Sequence, residues 1–220
     1  MIIPFWGAII RELWRGKSLP RTFLNFALMD ITLRGAVLDL GSKSSAMSYN
    51  RFLQKEQGAR IKYTDMHASA DDVVQLDLEK PFLLPDNSFD TITCFNTLEH
   101  IYDYNNVVRE AYRVLKPGGR FIGGTPFLVG YHPDPHDYFR YTDEAIEKMF
   151  TAAGFETKKI VALGFGPFTA AVAIDLHVWP RILRPAVALV AMLLDAIVLR
   201  LKPSQGDRFP LGYMYVFRKT

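Results

Sequence analysis

The sequence predicts an α/β domain built on a mostly parallel sheet that is covered on both faces. First, short apolar runs typical of strands alternate with segments typical of helices, with short connections between them. Second, the apolar run 36–40 stops abruptly at Gly41. Third, an acid stands at the end of each of the first three predicted strands. Because the carboxyl ends of parallel strands meet at one edge, these acids are expected to border a binding crevice.

Length and composition limit the class of protein. The 220 residues are 49% hydrophobic and 13% aromatic, which suffices for a full core and excludes a disordered chain. The formal net charge of +3 is too small to indicate nucleic-acid binding. The single cysteine, Cys94, excludes an internal disulfide, and its place in the apolar run 91–95 predicts a core residue and not a nucleophile.

Residues 1–34 are predicted to form a helical lead-in. The apolar run 2–10 is too short to span a bilayer and has no basic residue before it, so it does not indicate a secretory signal. Residues 5–14 have helical spacing, and Gly16 and Pro20 separate them from the next apolar segment. We expect these helices to pack on the domain. A helix on a membrane surface or over the substrate is the alternative.

The remaining elements follow from apolar periodicity and from breakers. The predicted strands are Ala36–Leu40, Arg60–Thr64, Val73–Leu76, Phe89–Phe95, Arg120–Gly123, Phe155–Val161 and Gly212–Lys219. The predicted helices are Ala46–Gln57, Tyr104–Leu115 and Asp143–Ala153. We therefore expect a main domain of residues 35–163 and 210–220, interrupted by an apolar, proline-broken helical insertion at 164–209.

The acids at the strand ends suggest an adenosine ligand. Asp65, at the end of the second strand, can accept hydrogen bonds from both hydroxyls of a ribose. Asp77, after the third strand, can accept from an adenine amino group, with Met66 and Leu78 as apolar neighbours of the ring. Asp39 belongs to the first strand, beside the glycine turn.

The turn after the first strand argues against phosphate groups on that ligand. Gly41 allows close backbone approach. The sequence contains no P-loop motif, and Lys43 and Ser44 stand where a dinucleotide-binding loop would have glycine. An adenosine ligand without phosphates is therefore favoured over ATP or NAD.

Six motifs in this order resemble the class I S-adenosylmethionine-dependent methyltransferases, and most closely the small-molecule group with a Leu-Glu-His step after the fourth strand. They are Val37-Leu38-Asp39-Leu40-Gly41, Asp65, Leu76-Asp77-Leu78, Leu84-Pro85-Asp86-Asn87-Ser88-Phe89-Asp90, Asn96-Thr97-Leu98-Glu99-His100-Ile101 and Arg113-Val114-Leu115-Lys116-Pro117-Gly118-Gly119. The resemblance covers residues 35–161 and the last strand. It implies a Rossmann-like sheet of seven strands with the last strand antiparallel.

The resemblance also implies S-adenosylmethionine as cofactor. Its methionine part would lie near the first strand and the following turn, its ribose on Asp65, its adenine amino group on Asp77 and its sulfonium beside Asn96. The predicted cofactor-binding residues are Asp39, Gly41, Ser42, Asp65, Met66, Asp77, Leu78 and Asn96. Lys43 and Ser45 replace glycines that are usual in the family. The alternative is therefore a non-catalytic binding or scaffold protein with the same fold.

Candidates for a catalytic base lie in two stretches on the ligand-bearing edge. His136 is the preferred base, followed by His100 and Tyr138. A structural role for His100 is the competing interpretation. Arg140 either binds an acidic acceptor or pairs with Asp137 and holds the loop.

A metal site is a further alternative, which we do not favour. Glu99, His100 and His136 resemble the ligands of magnesium-dependent methyltransferases, including RNA 3′-terminal 2′-O-methyltransferases. Those enzymes have a glutamate where this chain has Asn96, so one ligand would be missing. We therefore predict no metal and no nucleic-acid partner, and we keep the RNA enzyme as an alternative.

The apolar stretch 185–201 contains Asp195, which argues against a membrane-spanning helix. Basic residues flank it, as in helices that lie on anionic lipid: Arg181, Arg184, Arg200 and Lys202. The alternative is a lid or dimer face. We predict a cytoplasmic methyltransferase acting on a small or lipid-linked acceptor, such as a quinone precursor or a polyprenyl-bound glycan, with membrane contact through residues 165–202.

Overall fold

The computed structural model describes residues 6–42, 44–67 and 73–220. Its helices are α1 (Trp6–Trp14), α2 (Leu19–Ala27), α3 (Tyr104–Val114), α4 (Asp143–Ala152), α5 (Pro167–Asp175) and α6 (Arg184–Leu201). The strands of its main sheet are β1 (Ala36–Leu40), β2 (Arg60–Asp65), β3 (Val73–Gln75), β4 (Phe89–Phe95), β5 (Leu115–Pro126), β6 (Phe155–Leu163) and β7 (Gly212–Lys219). Short 3₁₀ turns are Ser48–Arg51, Leu98–His100 and Pro203–Gln205.

The main sheet has seven strands in the order β3-β2-β1-β4-β5-β7-β6. The pairs among β1 to β5 are parallel, whereas β7 runs antiparallel to both of its neighbours. In the middle of β1, Val37 pairs with Ile61 of β2 on one side and with Thr91 of β4 on the other. The predicted Rossmann-like sheet of seven strands with an antiparallel last strand is confirmed.

Side chains of the sheet point alternately into two apolar clusters, one on each face. In β1, Leu38 belongs to the cluster covered by α3 and α4, and Val37 belongs to the opposite one. Cys94 is buried in the first cluster, as its apolar surroundings predict. The molecule therefore has three layers, and ligands reach the sheet only from its ends.

The second cluster is covered by the lead-in helices together with the C-terminal helices. Leu13 of α1, Phe23 of α2 and Met192 of α6 all contribute buried side chains to it. The lead-in is thus packed on the domain, which is the favoured interpretation of residues 6–34. Residues 1–5 lie outside the described part of the chain.

The predicted helix Ala46–Gln57 is wrong. The chain forms one 3₁₀ turn there, Ser48–Arg51, and then a two-residue strand, Gln54–Lys55, that pairs in parallel with Thr32–Leu33. The N–H of Gln54 donates to the carbonyl of Ile31 at 2.9 Å. Tertiary contacts override the local helical pattern, because backbone bonds to the lead-in replace those a helix would form.

Boundaries differ more modestly elsewhere. The predicted strand Arg120–Gly123 is longer in the structure, because β5 starts at Leu115. Its register with β4 shifts between Phe89 and Thr91, where the Lys-Pro-Gly-Gly segment adds residues on the β5 side. The remaining strands and α3 and α4 begin and end within two residues of the predicted positions.

The C-terminal apolar stretch forms α5 and α6, which pack against each other. Among the described residues, no helix combines the length and the hydropathy that a membrane crossing requires. Asp195, the acid inside the apolar run, is fully buried. Its carboxylate accepts the backbone N–H groups of Phe168 and Thr169 at the start of α5.

Candidate cofactor and acceptor site

A cavity opens at the carboxyl end of the parallel strands. Four turns contribute to its wall, after β1, β2, β3 and β4, and the loop after β5 closes one side. Its lining residues are Gly41, Asp65, Met66, Leu76, Asp77, Leu78, Glu79, Asn96, Thr97, His100, Ile101, Asp134, Pro135, His136 and Tyr138. Six of the eight predicted cofactor-binding residues and all three predicted base candidates are therefore brought together.

The lining of the cavity is acidic. Four carboxylates contribute, and no lysine or arginine does so among the described residues: the acids are Asp65, Asp77, Glu79 and Asp134. A cavity of this charge favours hydroxyl and amino donors and a cationic centre, and it disfavours phosphates. The chemistry of the donor set thus matches a sulfonium-bearing adenosine.

The two strand-end acids differ in their local bonding. Asp65 accepts the backbone N–H of His67 at 2.9 Å through one carboxylate oxygen. Asp77 accepts the N–H of Glu79 and pairs with Lys80, whose Nζ lies 2.8 Å from Oδ2. The hydrogen bond from Lys80 lowers the pKa of Asp77, so this carboxylate stays charged.

Gly41 and Asn96 shape the floor of the cavity through their backbones. Both have positive φ angles, +69° and +52°. A Cβ on Gly41 would lie 2.5 Å from Cγ2 of Thr97, so no other residue can occupy this turn without displacing its neighbour. The N–H of Asn96 donates to the carbonyl of Gly124 at 2.7 Å, which ties the turn after β4 to β5.

Asp39 and Ser42 are buried and do not line the cavity. The hydroxyls of Thr93 and Tyr49 donate to the two carboxylate oxygens of Asp39, at 2.8 and 3.0 Å. Burial nevertheless raises the pKa of Asp39 to about 7. The N–H of Ser42 donates to the carbonyl of Thr64 at 3.0 Å. Through these contacts Asp39 and Ser42 connect β1 and its following turn to the neighbouring strands. Lys43 lies outside the described residues.

The predicted base candidates share one side of the cavity. The rings of His136 and Tyr138 have centroids 5.2 Å apart, and both residues are exposed. His100 is partly buried, and burial lowers its pKa. Its Nδ1 lies 2.5 Å from the carbonyl oxygen of His136, so His100 also positions the loop that carries the preferred base.

Glu99 lies beside the cavity with no exposed surface. Its two carboxylate oxygens have no hydrogen-bond partner. Burial raises its pKa to about 8. The nearest imidazole nitrogens belong to His100, at 3.7 Å, and to His132, at 4.0 Å. The third member of the cluster considered from the sequence was His136, and that is wrong: the residue that joins Glu99 and His100 is His132.

The loop after β5 is held by an ion pair. Arg140 donates to Asp137 through both guanidinium nitrogens, at 2.5 and 2.7 Å. The bonds from Arg140 lower the pKa of Asp137. The Oδ2 atom of Asp137, which accepts from Arg140, also accepts the backbone N–H of His132 at 2.9 Å. Arg140 therefore holds the loop, the second of the two roles considered for it.

The sequence gives no sign of Arg21, a cation of α2 that lies close to the site. Its guanidinium carbon is 6.0 Å from the ring centroid of Tyr49, and its Nη1 is buried without a hydrogen-bond partner. Burial lowers the pKa of Arg21. It could have been found only by knowing that α2 packs near the turn after β1, which is a tertiary contact.

Comparison with known proteins shows similarity to methyltransferases. Residues 39–123, from the end of β1 into β5, match a family model described as a methyltransferase domain. The matched segment includes every turn that lines the cavity except the loop after β5.

Curated relatives match over a longer stretch at modest identity. The chain is 29% identical over 159 residues to a ubiquinone biosynthesis O-methyltransferase of Pseudomonas putida, an alignment that covers 63% of each protein. It is 33% identical over 109 residues to a demethylmenaquinone methyltransferase of Listeria welshimeri, covering 48% of this chain and 45% of the relative. The chain thus spans less than two thirds of the length of these relatives.

A solved structure shares the fold. The crystal structure of a putative sarcosine dimethylglycine methyltransferase from Galdieria sulphuraria superposes with a TM-score of 0.56 at 16% identity. The superposition covers 96% of this chain and 85% of the other. At this identity the likeness concerns the fold, which includes the lead-in and the C-terminal helices.

Proposed function

We propose that this chain, whose residues 39–123 match a family model described as a methyltransferase domain, is a class I S-adenosylmethionine-dependent methyltransferase that methylates a small or lipid-linked acceptor of the quinone type. The observation that carries the proposal is the acidic cavity at the carboxyl end of the strands. Asp65 and Asp77 line it together with His100, His136 and Tyr138. Cofactor-binding and proton-accepting groups thus share one space.

The cofactor residues divide according to their chemistry. Asp65 would accept the ribose hydroxyls, and Asp77 the adenine amino group. Met66 and Leu78 supply apolar contacts to the ring, since both line the cavity. Asn96 would lie beside the sulfonium, where its carbonyl dipole is favourable to positive charge.

The methionine end of the cofactor needs a different set of groups. Gly41 provides room, while Asp39 and Ser42 act indirectly by fixing the turn that follows β1. Arg21 is our candidate partner for the carboxylate, because a buried guanidinium with an unpartnered nitrogen gains most from a negative ligand group.

When bound, S-adenosylmethionine would supply the methyl group of its sulfonium: the acceptor atom would bond to the methyl carbon in line with the breaking carbon–sulfur bond, and S-adenosylhomocysteine would leave. Alignment by the cavity wall contributes most of the acceleration. A hydroxyl acceptor must also lose its proton, and His136 is our preferred base because it is exposed to the cavity and free of ion pairs in the described structure. His100 and Tyr138 are the next candidates on the same wall.

The relatives' names support a quinone-type acceptor. Both relatives are named for quinones, ubiquinone in one case and demethylmenaquinone in the other. Ubiquinone and menaquinone carry long apolar chains, so an enzyme for their precursors gains from contact with a lipid surface.

The C-terminal helices provide a surface for such contact. The exposed face of α6 is apolar from Ala186 to Ile197, and the apolar groove between α5 and α6 continues it. Its large exposed side chains are Val190, Leu193, Leu194, Ile197 and Leu201. Basic residues stand at both ends of the helix: Arg181 and Arg184 at its start, and Arg200 and Lys202 at its end. We propose that this face rests on the cytoplasmic surface of an anionic membrane.

Two measurements on the purified chain test the proposal. Titration calorimetry with S-adenosylhomocysteine measures cofactor binding, with micromolar affinity expected. Transfer of labelled methyl from S-adenosylmethionine to demethylated quinol precursors in liposomes measures the reaction. A His136→Gln variant should bind the cofactor as the parent does and lose about 10²-fold or more in turnover of a hydroxyl acceptor. Absence of binding at millimolar ligand would favour the non-catalytic alternative. Binding without transfer to any quinol would refute the acceptor class.

A further inference from the structure

We propose that Glu99, His100 and His132 form a binding site for a divalent transition-metal ion, such as Zn²⁺. Each residue offers one ligand atom, and the three atoms lie within 4.8 Å of one another. The cluster joins the 3₁₀ turn after β4 to the loop after β5, at the border of the cavity.

The unpartnered carboxylate is the first argument. Glu99 has no exposed surface, and neither of its oxygens has a hydrogen-bond partner. A buried carboxylate without partners costs several kcal/mol in general, so such a group holds a proton unless a cation takes the proton's place. The basic side chains that act on it electrostatically are Arg21 and Arg140, and neither forms an ion pair with it.

The orientation of both histidines is the second, independent argument. In His100, Nδ1 lies 2.5 Å from the carbonyl oxygen of His136. In His132, Nδ1 lies 2.9 Å from the carbonyl oxygen of Gly130. A carbonyl can only accept, so these two contacts place the proton of each neutral ring on Nδ1 and leave the lone pair of Nε2 facing Glu99. A guanidinium nitrogen of Arg140 also lies 3.4 Å from Nδ1 of His132, but the carbonyl contact at 2.9 Å is shorter and decides the tautomer.

This arrangement is the usual one for histidines that bind a metal. Such residues donate their second ring N–H to a carbonyl or carboxylate, which fixes the tautomer and the ring orientation. The observed distances from Oε1 of Glu99 to the two Nε2 atoms are 3.7 and 4.0 Å. Ligand atoms of a tetrahedral ion bonded at about 2.0–2.2 Å lie roughly 3.4 Å apart, so both distances must shorten by a few tenths of an ångström. All three atoms lie within 4.8 Å of one another, so the longest separation must shorten by at most about 1.4 Å.

The ligand set determines the class of ion. Two imidazoles and one carboxylate suit Zn²⁺ and other first-row transition metals, whereas Mg²⁺ prefers oxygen ligands and keeps several waters. Three protein ligands leave at least one position open. Since His100 also lines the cavity, that position would be available to an oxygen of the acceptor, a step that rests on the proposed function.

Metal titration of the full chain tests the site without any acceptor or turnover. After dialysis against a chelator, titration calorimetry with ZnCl₂ should give one ion per chain, and MgCl₂ should not compete. Glu99→Gln and His132→Ala should each weaken Zn²⁺ binding at least 10-fold. The matched control His177→Ala removes an exposed histidine far along the chain and should leave the affinity unchanged.

Co²⁺ provides a second readout that does not depend on affinity. Cobalt bound by imidazoles in a site of low coordination number gives visible d–d absorption bands, which Glu99→Gln and His132→Ala should alter or abolish. Circular dichroism and S-adenosylhomocysteine binding verify that each variant is folded. Absence of stoichiometric Zn²⁺ binding in the folded parent, or equal binding by the parent and both variants, would overturn the proposal whether or not the chain methylates a quinol.

Discussion

The carboxylate of Asp195 accepts the backbone N–H of Thr169 at 2.7 Å and thereby caps one helix from the middle of another. Its second oxygen accepts the N–H of Phe168 at 2.9 Å. The close approach requires a residue without a side chain at position 166, because a Cβ on Gly166 would lie 2.6 Å from Cγ of Asp195. An acid inside the apolar helix α6 thus satisfies free donors at the start of α5.

Replacing Asp195 by alanine should destabilise the fold. Two buried N–H groups lose their acceptors, which corresponds to a loss of about 2–4 kcal/mol in the free energy of unfolding. Asp195→Asn keeps one acceptor and should lose less. Urea unfolding followed by circular dichroism measures both, with Asp175→Ala, an exposed acid of α5, as control. Equal stability of Asp195→Ala and the parent would show that the cap contributes nothing.

Gly41→Ala should lower the free energy of unfolding by more than the strain of a positive φ angle alone would cause. The new methyl group would lie 2.5 Å from Thr97, and φ at Gly41 is +69°. Gly58 is the matched control, since its φ is +85° and a Cβ there meets nothing within 4 Å. We expect Gly58→Ala to cost about 1 kcal/mol and Gly41→Ala about 1–3 kcal/mol more. Chemical denaturation of the two variants gives the difference, and identical losses would contradict the predicted clash.

Asp65→Ala should weaken cofactor binding without unfolding the chain. The charged hydrogen bonds to a ribose are worth about 1.5–3 kcal/mol, which corresponds to roughly a 10- to 150-fold rise in Kd. Calorimetry with S-adenosylhomocysteine measures the change. Asp30→Ala, at an exposed position outside the cavity lining, serves as control. An unchanged Kd would refute the ribose assignment.

Asp39 should make stability depend on pH. Its folded-state pKa is raised to about 7, because burial disfavours the charged form. The protonated carboxyl is favoured by folding, so its contribution is fully present below the unfolded value of about 4 and is lost as pH rises through 7. The contribution of Asp39 to the free energy of unfolding should fall by about 2 kcal/mol between pH 5 and pH 7. Unfolding titrations over this range should show a flatter profile for Asp39→Asn. Parallel profiles for the parent and Asp39→Asn would assign the pH dependence to other groups.

The exposed face of α6 should bind anionic vesicles. Leu193→Ser combined with Ile197→Ser removes two side chains that are 50% and 56% exposed, so folding should be little affected while membrane contact is lost. Flotation with vesicles containing about a third phosphatidylglycerol measures the bound fraction, and a fall of at least several-fold is expected. The matched control is Val74→Ser, an exposed apolar residue of β3 away from this helix. Recovery of the parent entirely in the vesicle-free fraction would refute the membrane proposal.

The parts of the fold that follow from local pattern could be predicted from the sequence. β4 and β7 begin and end as predicted, because each is rich in aromatic and β-branched residues and has a turn-forming residue beside it. The helix expected at 46–57 did not form, because Tyr49 is drawn to Asp39 and Gln54 pairs with the lead-in. Neither contact leaves a trace in the local hydrophobic periodicity.

The candidate site, like the fold, could be predicted where it follows from local pattern and sheet topology, and not where it depends on tertiary contacts. Acids and glycines at the strand ends could be placed together because the topology of a parallel sheet brings them to one edge. The neighbour of Glu99 could not be chosen between His132 and His136, since the choice depends on how the loop after β5 folds around the Asp137–Arg140 ion pair. Arg21 was missed because α2 reaches the site only through packing.

The two-residue pairing of Thr32–Leu33 with Gln54–Lys55 fastens the lead-in to the turn that follows the first strand of the main sheet. A chain shortened to begin at residue 35 would therefore lose more than two helices that cover the sheet. The segment around Tyr49 would lose the strand that it pairs with, and we expect Asp39, which Tyr49 contacts, to become exposed to water. Grafting or trimming the catalytic unit consequently has to keep its N-terminal helices, however separable they look along the chain.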